Sequence, residues 1–127
     1  MESAGRGGGF MVADGIVPLS SGYDLATACA LQAVGRRPQL PNLNHEKPVL
    51  LRFIPSRAGK VLSIRGFEKE PDCEGIFCEP LVKVGQKIRK AKTDGDRIAF
   101  ILVKAKTIAQ AYKKVKKQQK KIKIKIN

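Results

Sequence analysis

The clearest periodicity lies near the C-terminus. From Lys121 to Ile126 lysine and isoleucine alternate strictly, the period-two signature of a half-exposed strand, with Ile122, Ile124 and Ile126 turned inward. Just upstream, Ile108, Ala111, Tyr112, Val115 and Ile122 recur at helical spacing and predict a helix over about 108 to 120 with these residues on one face. Thr107 and Gln110 stand three apart at its start, as a capping box requires. Arg97–Val103 is short, continuous and apolar, which predicts a buried strand. Val49–Ile54, Lys60–Ile64 and Gly75–Cys78 are bounded by Gly, Pro or acidic residues and read as strands. Ala58-Gly59 suits a hairpin turn and Thr93–Asp96 a second turn, while Val82–Val84 and Gln86–Arg89 flank Gly85 as a further strand pair.

The first third is less regular. Residues 1–9 are dense in glycine and read as a flexible segment. Phe10–Val12 suits a short strand and Asp14-Gly15 a turn, and Pro18 biases Ile16–Leu19 toward extended backbone. Ser21 as N-cap and Asp24 three residues later predict a helix over 22–34, with Gly35 just beyond its end. Its many alanines imply close packing against another element. Residues 36–48 hold three prolines and two asparagines and read as a loop. Loop, helix, strands, helix, strand is the order of an α+β unit with antiparallel strands.

Composition narrows the class. A length of 127 residues suits one domain, and 43% hydrophobic residues exclude wholesale disorder. The longest apolar run, Ile98–Val103, is far too short to span a membrane. No charged N-terminal segment leads into an apolar stretch, so no secretory signal is expected. Cys29, Cys73 and Cys78 form neither a disulfide framework nor a CxxC pair, which makes a reducing cytoplasm the default compartment. The net charge is +14, yet ten lysines and no acid fall in residues 104–127, leaving fifteen bases against eleven acids elsewhere. The excess therefore belongs to one segment. It can bind polyanions, RNA among them, through Lys-rich 113–125, or it can be the solvated face of a terminal helix and strand. Tyr112 is its one aromatic residue, so no stacking platform for bases is expected there.

Candidate chemistry is concentrated at the start. Glycines at 7–9 let backbone N–H groups approach a phosphate or carboxylate, Arg6 offers a forked set of donors, and Glu2 offers hard oxygens to a divalent cation. The segment matches neither a Walker loop nor a dinucleotide fingerprint. His45 has no second histidine or cysteine nearby, so a surface-loop role is expected. Ser20 and Ser21 have no partner base, Cys73 and Cys78 read as buried or incidental thiols, and Glu68, Glu70, Asp72 and Glu74 read as a solvated turn.

Glu2–Phe10 followed by Val17–Leu25 resembles the closing part of an ATP-grasp ligase, whose pattern is Glu-x-Asn-x-Arg-x-Gly-Gly, a linker, then Ser/Thr-Gly-Val/Tyr-Asp-Leu opening an alanine-rich helix that ends in glycine. Arg52–Pro55, Gly59–Val61, Ile64–Gly66, Val84-Gly85, Asp96–Ile98 and the helix after Thr107 continue the resemblance. The carbamoyl-phosphate synthase large subunit and other carboxylate–amine ligases are the suggested relatives. The resemblance implies a mainly antiparallel sheet with two helices, in a single partial domain. Residues 1–35 would form the last catalytic strand, glycine-rich loop and helix, and 48–127 a strand-rich subdomain.

Members of that family activate a carboxylate with ATP as an acyl phosphate, which an amine then attacks, with Mg²⁺ on the phosphates. By resemblance Glu2 would hold the metal, Arg6 would face the phosphoryl oxygens, and Gly7, Gly8 and Gly9 would wall the acceptor carboxylate. The family's metal-binding Asn falls on Ala4, which cannot coordinate. The adenine pocket, phosphate-holding lysines and other metal carboxylate would precede Met1. The expected function is thus the C-terminal portion of an ATP-dependent carboxylate–amine ligase, inactive alone and completed by a second polypeptide with the ATP-binding lobes. The alternatives are a basic, non-enzymatic RNA- or polyanion-binding module and a folded remnant without activity.

Overall fold

The computed structural model describes residues 8–40, 47–67 and 75–127. Two three-stranded sheets organise it, both antiparallel. The first has the order β1-β5-β3, from Val49–Ile54 (β1), Ala99–Lys104 (β5) and Ile76–Pro80 (β3). The second has the order β4-β2-β6, from Lys87–Ile88 (β4), Gly59–Arg65 (β2) and Lys123–Ile126 (β6). Helices α1 (Val17–Ser21), α2 (Leu25–Ala33) and α3 (Ile108–Lys121) complete the α+β fold, one short helix more than the two expected.

The centre is β5, paired with β1 on one side and β3 on the other. Its alternating side chains feed two layers. Ile101 and Val103 pack with Ala111 and Val115 of α3 and with Ile122. Phe100 and Leu102 point to the opposite face, where Phe10 and Gly15 lie against them. A continuous apolar run is the pattern such a strand needs, because neither face meets water. A second cluster of Val61, Val82 and Ile98 joins the sheets, with Ile54, Ile124 and Ile126 packed around it.

Helix α3 starts on Thr107, whose Oγ1 accepts from the Gln110 N–H at 3.2 Å. It buries Ala111, Val115 and Gln118, while Ile108 and Tyr112 face outward, contrary to the expected apolar face. Gln118 takes the inward position because Gly66 O and Cys78 Sγ accept from its Nε2 at 3.0 and 3.4 Å. The chain passes at once into β6, which pairs with β2. Lys60 N donates to Asn127 Oδ1 at 2.7 Å and Asn127 N to Lys60 O at 3.2 Å.

Several local expectations are corrected. Phe10–Val12 is not a strand and Ile16–Leu19 is not extended: a π-helical turn, Val12–Ile16, runs into α1. Pro18 falls in the first turn of α1, a position that its fixed φ suits. The capping residue of α2 is Asp24 rather than Ser21; its carboxylate accepts from Thr27 N at 2.9 Å and from Thr27 Oγ1 at 2.6 Å. Ser21 instead closes α1, and Gly22 follows in the left-handed region. Gly35 and Arg36 end α2 in a Schellman arrangement, donating to Gln32 O and Leu31 O. Residues 82–84 form no strand. Gln86 N donates to Lys83 O and closes a tight turn, and Lys87–Ile88 pairs with β2. The alanines of α2 are not closely packed either, since only Ala28 is buried.

Gly66 has φ +85°, and a Cβ there would stand 2.9 Å from Ile122 Cα and collide with the Lys121 carbonyl. Gly85 has a similar φ of +87° but open space around it. Gly85→Ala should therefore cost only left-handed strain, about 1–2 kcal/mol, and Gly66→Ala distinctly more, because backbone must move as well. Urea unfolding midpoints of the two variants check this; equal losses would mean that the α3–β6 junction yields freely.

Candidate functional site

The glycine segment is tethered to the first sheet by one aromatic residue. Phe10 meets Phe53 of β1 and Phe100 of β5 edge-on, with ring centroids 5.7 and 5.3 Å apart. Met11 then adopts a left-handed φ of 60°, Val12 N donates to Gly9 O at 3.0 Å, and Ile16 N to Met11 O at 2.7 Å. Gly15 lies buried at the foot of this turn, where a Cβ would stand 2.9 Å from Met11 Cε and 3.0 Å from Leu102 Cδ2. Lys47 N donates to Ser20 O at 2.9 Å and ties α1 to the approach to β1.

Of the residues singled out by sequence, Gly8 and Gly9 are described and both are exposed. A Cβ on Gly8 would meet Val12 Cγ1 at 2.7 Å, so close packing by itself explains this glycine. Gly9 has nothing within 4 Å of such a Cβ and is open. Glu2, Arg6 and Gly7, together with Ala4, lie outside the described residues, as do His45, Cys73 and the cluster Glu68, Glu70, Asp72 and Glu74. The Ser20 and Ser21 hydroxyls both donate to Val17 O and are occupied within α1. Cys29 is exposed and free, and Cys78 is half-buried, with its Sγ accepting from Gln118 Nε2.

Beside Phe53 the structure assembles a feature that the sequence reading passed over. Asp96 organises the turn of residues 89–97. Its Oδ1 accepts from Arg89 Nε at 2.6 Å. Its Oδ2 accepts from the backbone N–H groups of Lys92 and Thr93 at 3.0 and 2.9 Å and from Thr93 Oγ1 at 3.0 Å. The next residue, Arg97, lays its guanidinium 3.6 Å from the Phe53 ring centroid. Arg52, Lys92 and Arg97 then line a hollow of about 540 Å³ together with Phe53. A cationic wall of this kind suits a carboxylate or a phosphate. The Thr-Asp-Gly-Asp signal was legible; the convergence of Arg52 and Arg97 was not, because they lie 45 positions apart in sequence.

No three His, Cys, Asp or Glu side chains gather into a metal site among the described residues. Asp24 and Asp96 are committed to the bonds above. No helix among them is long and apolar enough to cross a membrane.

The fold is that of the C-terminal part of an ATP-grasp enzyme. A search of solved structures matches the crystal structure of phosphoribosylglycinamide synthetase from Anaerococcus prevotii, with TM-score 0.78 and 19% identity, over 92% of this chain. This chain spans only 30% of that one. The family model for L-amino acid ligase C-terminal domain 2 matches residues 52–127, more than half of the sequence, and the chain belongs to that family. No curated protein matches the sequence.

The Arg89 guanidinium, followed by the Lys92 and Thr93 N–H groups, holds the Asp96 carboxyl well below the usual carboxylate range. A depressed folded-state pKa stabilises the fold fully above the unfolded value of about 3.9, and that stability is lost as pH falls through the folded value. Asp96→Asn should thus lower the thermal midpoint at pH 7, and the gap to the parent should narrow steadily below about pH 4. A gap that stayed constant from pH 7 to pH 2.5 would show that the carboxylate's charge contributes nothing.

Proposed function

We propose that this chain is the C-terminal portion of an ATP-dependent carboxylate–amine ligase that works through an acyl phosphate and gives no turnover alone. The observation that carries the reading is the family match over residues 52–127. The family's name speaks of L-amino acid ligases, so amino acids are the substrate class we favour on both sides of the new carbon–nitrogen bond. The matched synthetase chain is more than three times as long, which supports a division of labour. ATP and Mg²⁺ would be held largely by a part outside the described residues, supplied by a second polypeptide or by further sequence of the same protein. In the completed enzyme Glu2 would contribute a metal oxygen, Arg6 would face the phosphoryl group, and Gly7, Gly8 and Gly9 would wall the acceptor carboxylate. The cationic hollow of Arg52, Lys92 and Arg97 would receive an anionic end of a substrate. The free thiol of Cys29 suits a reducing, cytoplasmic setting.

Purified chain given ATP, Mg²⁺ and mixed L-amino acids should release no phosphate above the blank. Isolation of the tagged chain from its own cells after RNase treatment should bring a stoichiometric ATP-binding polypeptide. Phosphate release by that complex should fall at least a hundredfold with Glu2→Ala or Arg6→Ala. Unaided, Glu2-dependent turnover near ordinary enzyme rates, about 1 s⁻¹ or faster, would overturn the division of labour. An active complex indifferent to both substitutions would overturn the site.

A further inference from the structure

We propose that the outer face of α3, continued by β6, is a binding ridge for single-stranded polynucleotide, gripping phosphates through lysines and one base through Tyr112. Lys113, Lys116, Lys117 and Lys120 are all exposed, and their i, i+3, i+4, i+7 spacing puts them on one side of the helix. Lys123 and Lys125 follow directly on the exposed side of β6. Among the described residues no carboxylate pairs with any of these six; the one ion pair found there is Arg89–Asp96.

Structural duties account for some of the charge but not all of it. Lys120 lies in the last turn of α3, where the helix dipole favours a cation. Lys123 and Lys125 sit on an edge strand, where lysine discourages pairing with other chains. Lys113, Lys116 and Lys117 occupy the middle of the helix and serve neither purpose.

Tyr112 decides the kind of partner. The structure leaves this residue 54% exposed, next to Lys113 in sequence and one turn before Lys116. An aromatic face beside a row of ammonium groups is the combination that grips single strands: phosphates meet the charges and a base stacks on the ring. A bilayer would need an apolar helix face, and that face, Ala111 and Val115, is spent on the sheet. An acidic protein would need the charges but would leave the ring without a role. The ridge does not depend on the ligase reading, so either can fail alone.

Twenty-nucleotide oligouridylate and oligothymidylate are the probes, with polyglutamate as control, titrated by fluorescence anisotropy against the full chain from 20 to 300 mM salt. Each lysine engaged contributes roughly −0.7 to the slope of log affinity against log salt, so six predict a slope near −4. The quadruple variant K113Q/K116Q/K117Q/K120Q should lose about 3 of that slope, with its helix content verified by circular dichroism. Tyr112→Ala should weaken binding by roughly five- to a hundredfold and leave the slope unchanged. Binding to neither oligonucleotide would overturn the proposal, as would polyglutamate bound as tightly as they are. So would an unchanged slope in the quadruple variant, or no effect of Tyr112→Ala, which involves no change of charge and no buried side chain.

Discussion

Ala99, Phe100, Ile101, Leu102 and Val103 are five consecutive residues with at most 4% of their surface exposed. A strand buried on both faces needs two covering layers, and the chain supplies them from opposite ends. Helix α3 covers Ile101 and Val103, and the turn from Phe10 to Ile16 covers Phe100 and Leu102. The remaining elements serve this arrangement: β1 and β3 take up the backbone bonds of β5, and the second sheet closes the side on which Ile54 and Ile98 emerge. Loss of either cover would expose apolar surface at about 25 cal/mol per Å².

Phe10 carries that dependence into the candidate site. It belongs at once to the cover over β5 and to the segment bearing Gly8 and Gly9, so the core fixes where the glycine segment begins. Phe53 does the same for the other side: its ring meets Phe10 and also carries the guanidinium of Arg97. Glycine segment and cationic hollow are thus positioned by neighbouring aromatic residues of a single layer, which is the kind of rigid support that a site handling small anionic groups requires.

Legibility in the sequence followed the strength of local signals. The boundaries of β1 were readable to the residue and those of β5 and α3 nearly so, because periodicity, caps and turns agreed there. Between Phe10 and Leu19 the cue, Pro18, pointed to extended chain, while packing against Phe100 and Leu102 selected a helical turn; no local signal encodes that contact. Tyr112 turned outward for a similar reason. The sheet accepts a narrow row of side chains from α3, and Gln118 claims part of it because its amide binds Gly66, 52 residues away. For the site, the order of short motifs led to the family, whereas the grouping of Arg52 with Arg97 existed only once β1 and β5 were paired.

The strand order has a consequence for how the protein is made. The middle strand of the first sheet is fifth in sequence, so β1 and β3 leave the ribosome without the partner that joins them. The second sheet waits longer still, since β2 receives β6 from residues 123–126. The emerging chain therefore holds open strand edges until those partners appear, and its contacts, being far apart in sequence, close slowly. Apolar strands waiting in that state are targets for chaperones, and the tempo of translation between Ile54 and Ala99 becomes a variable in the yield of folded protein.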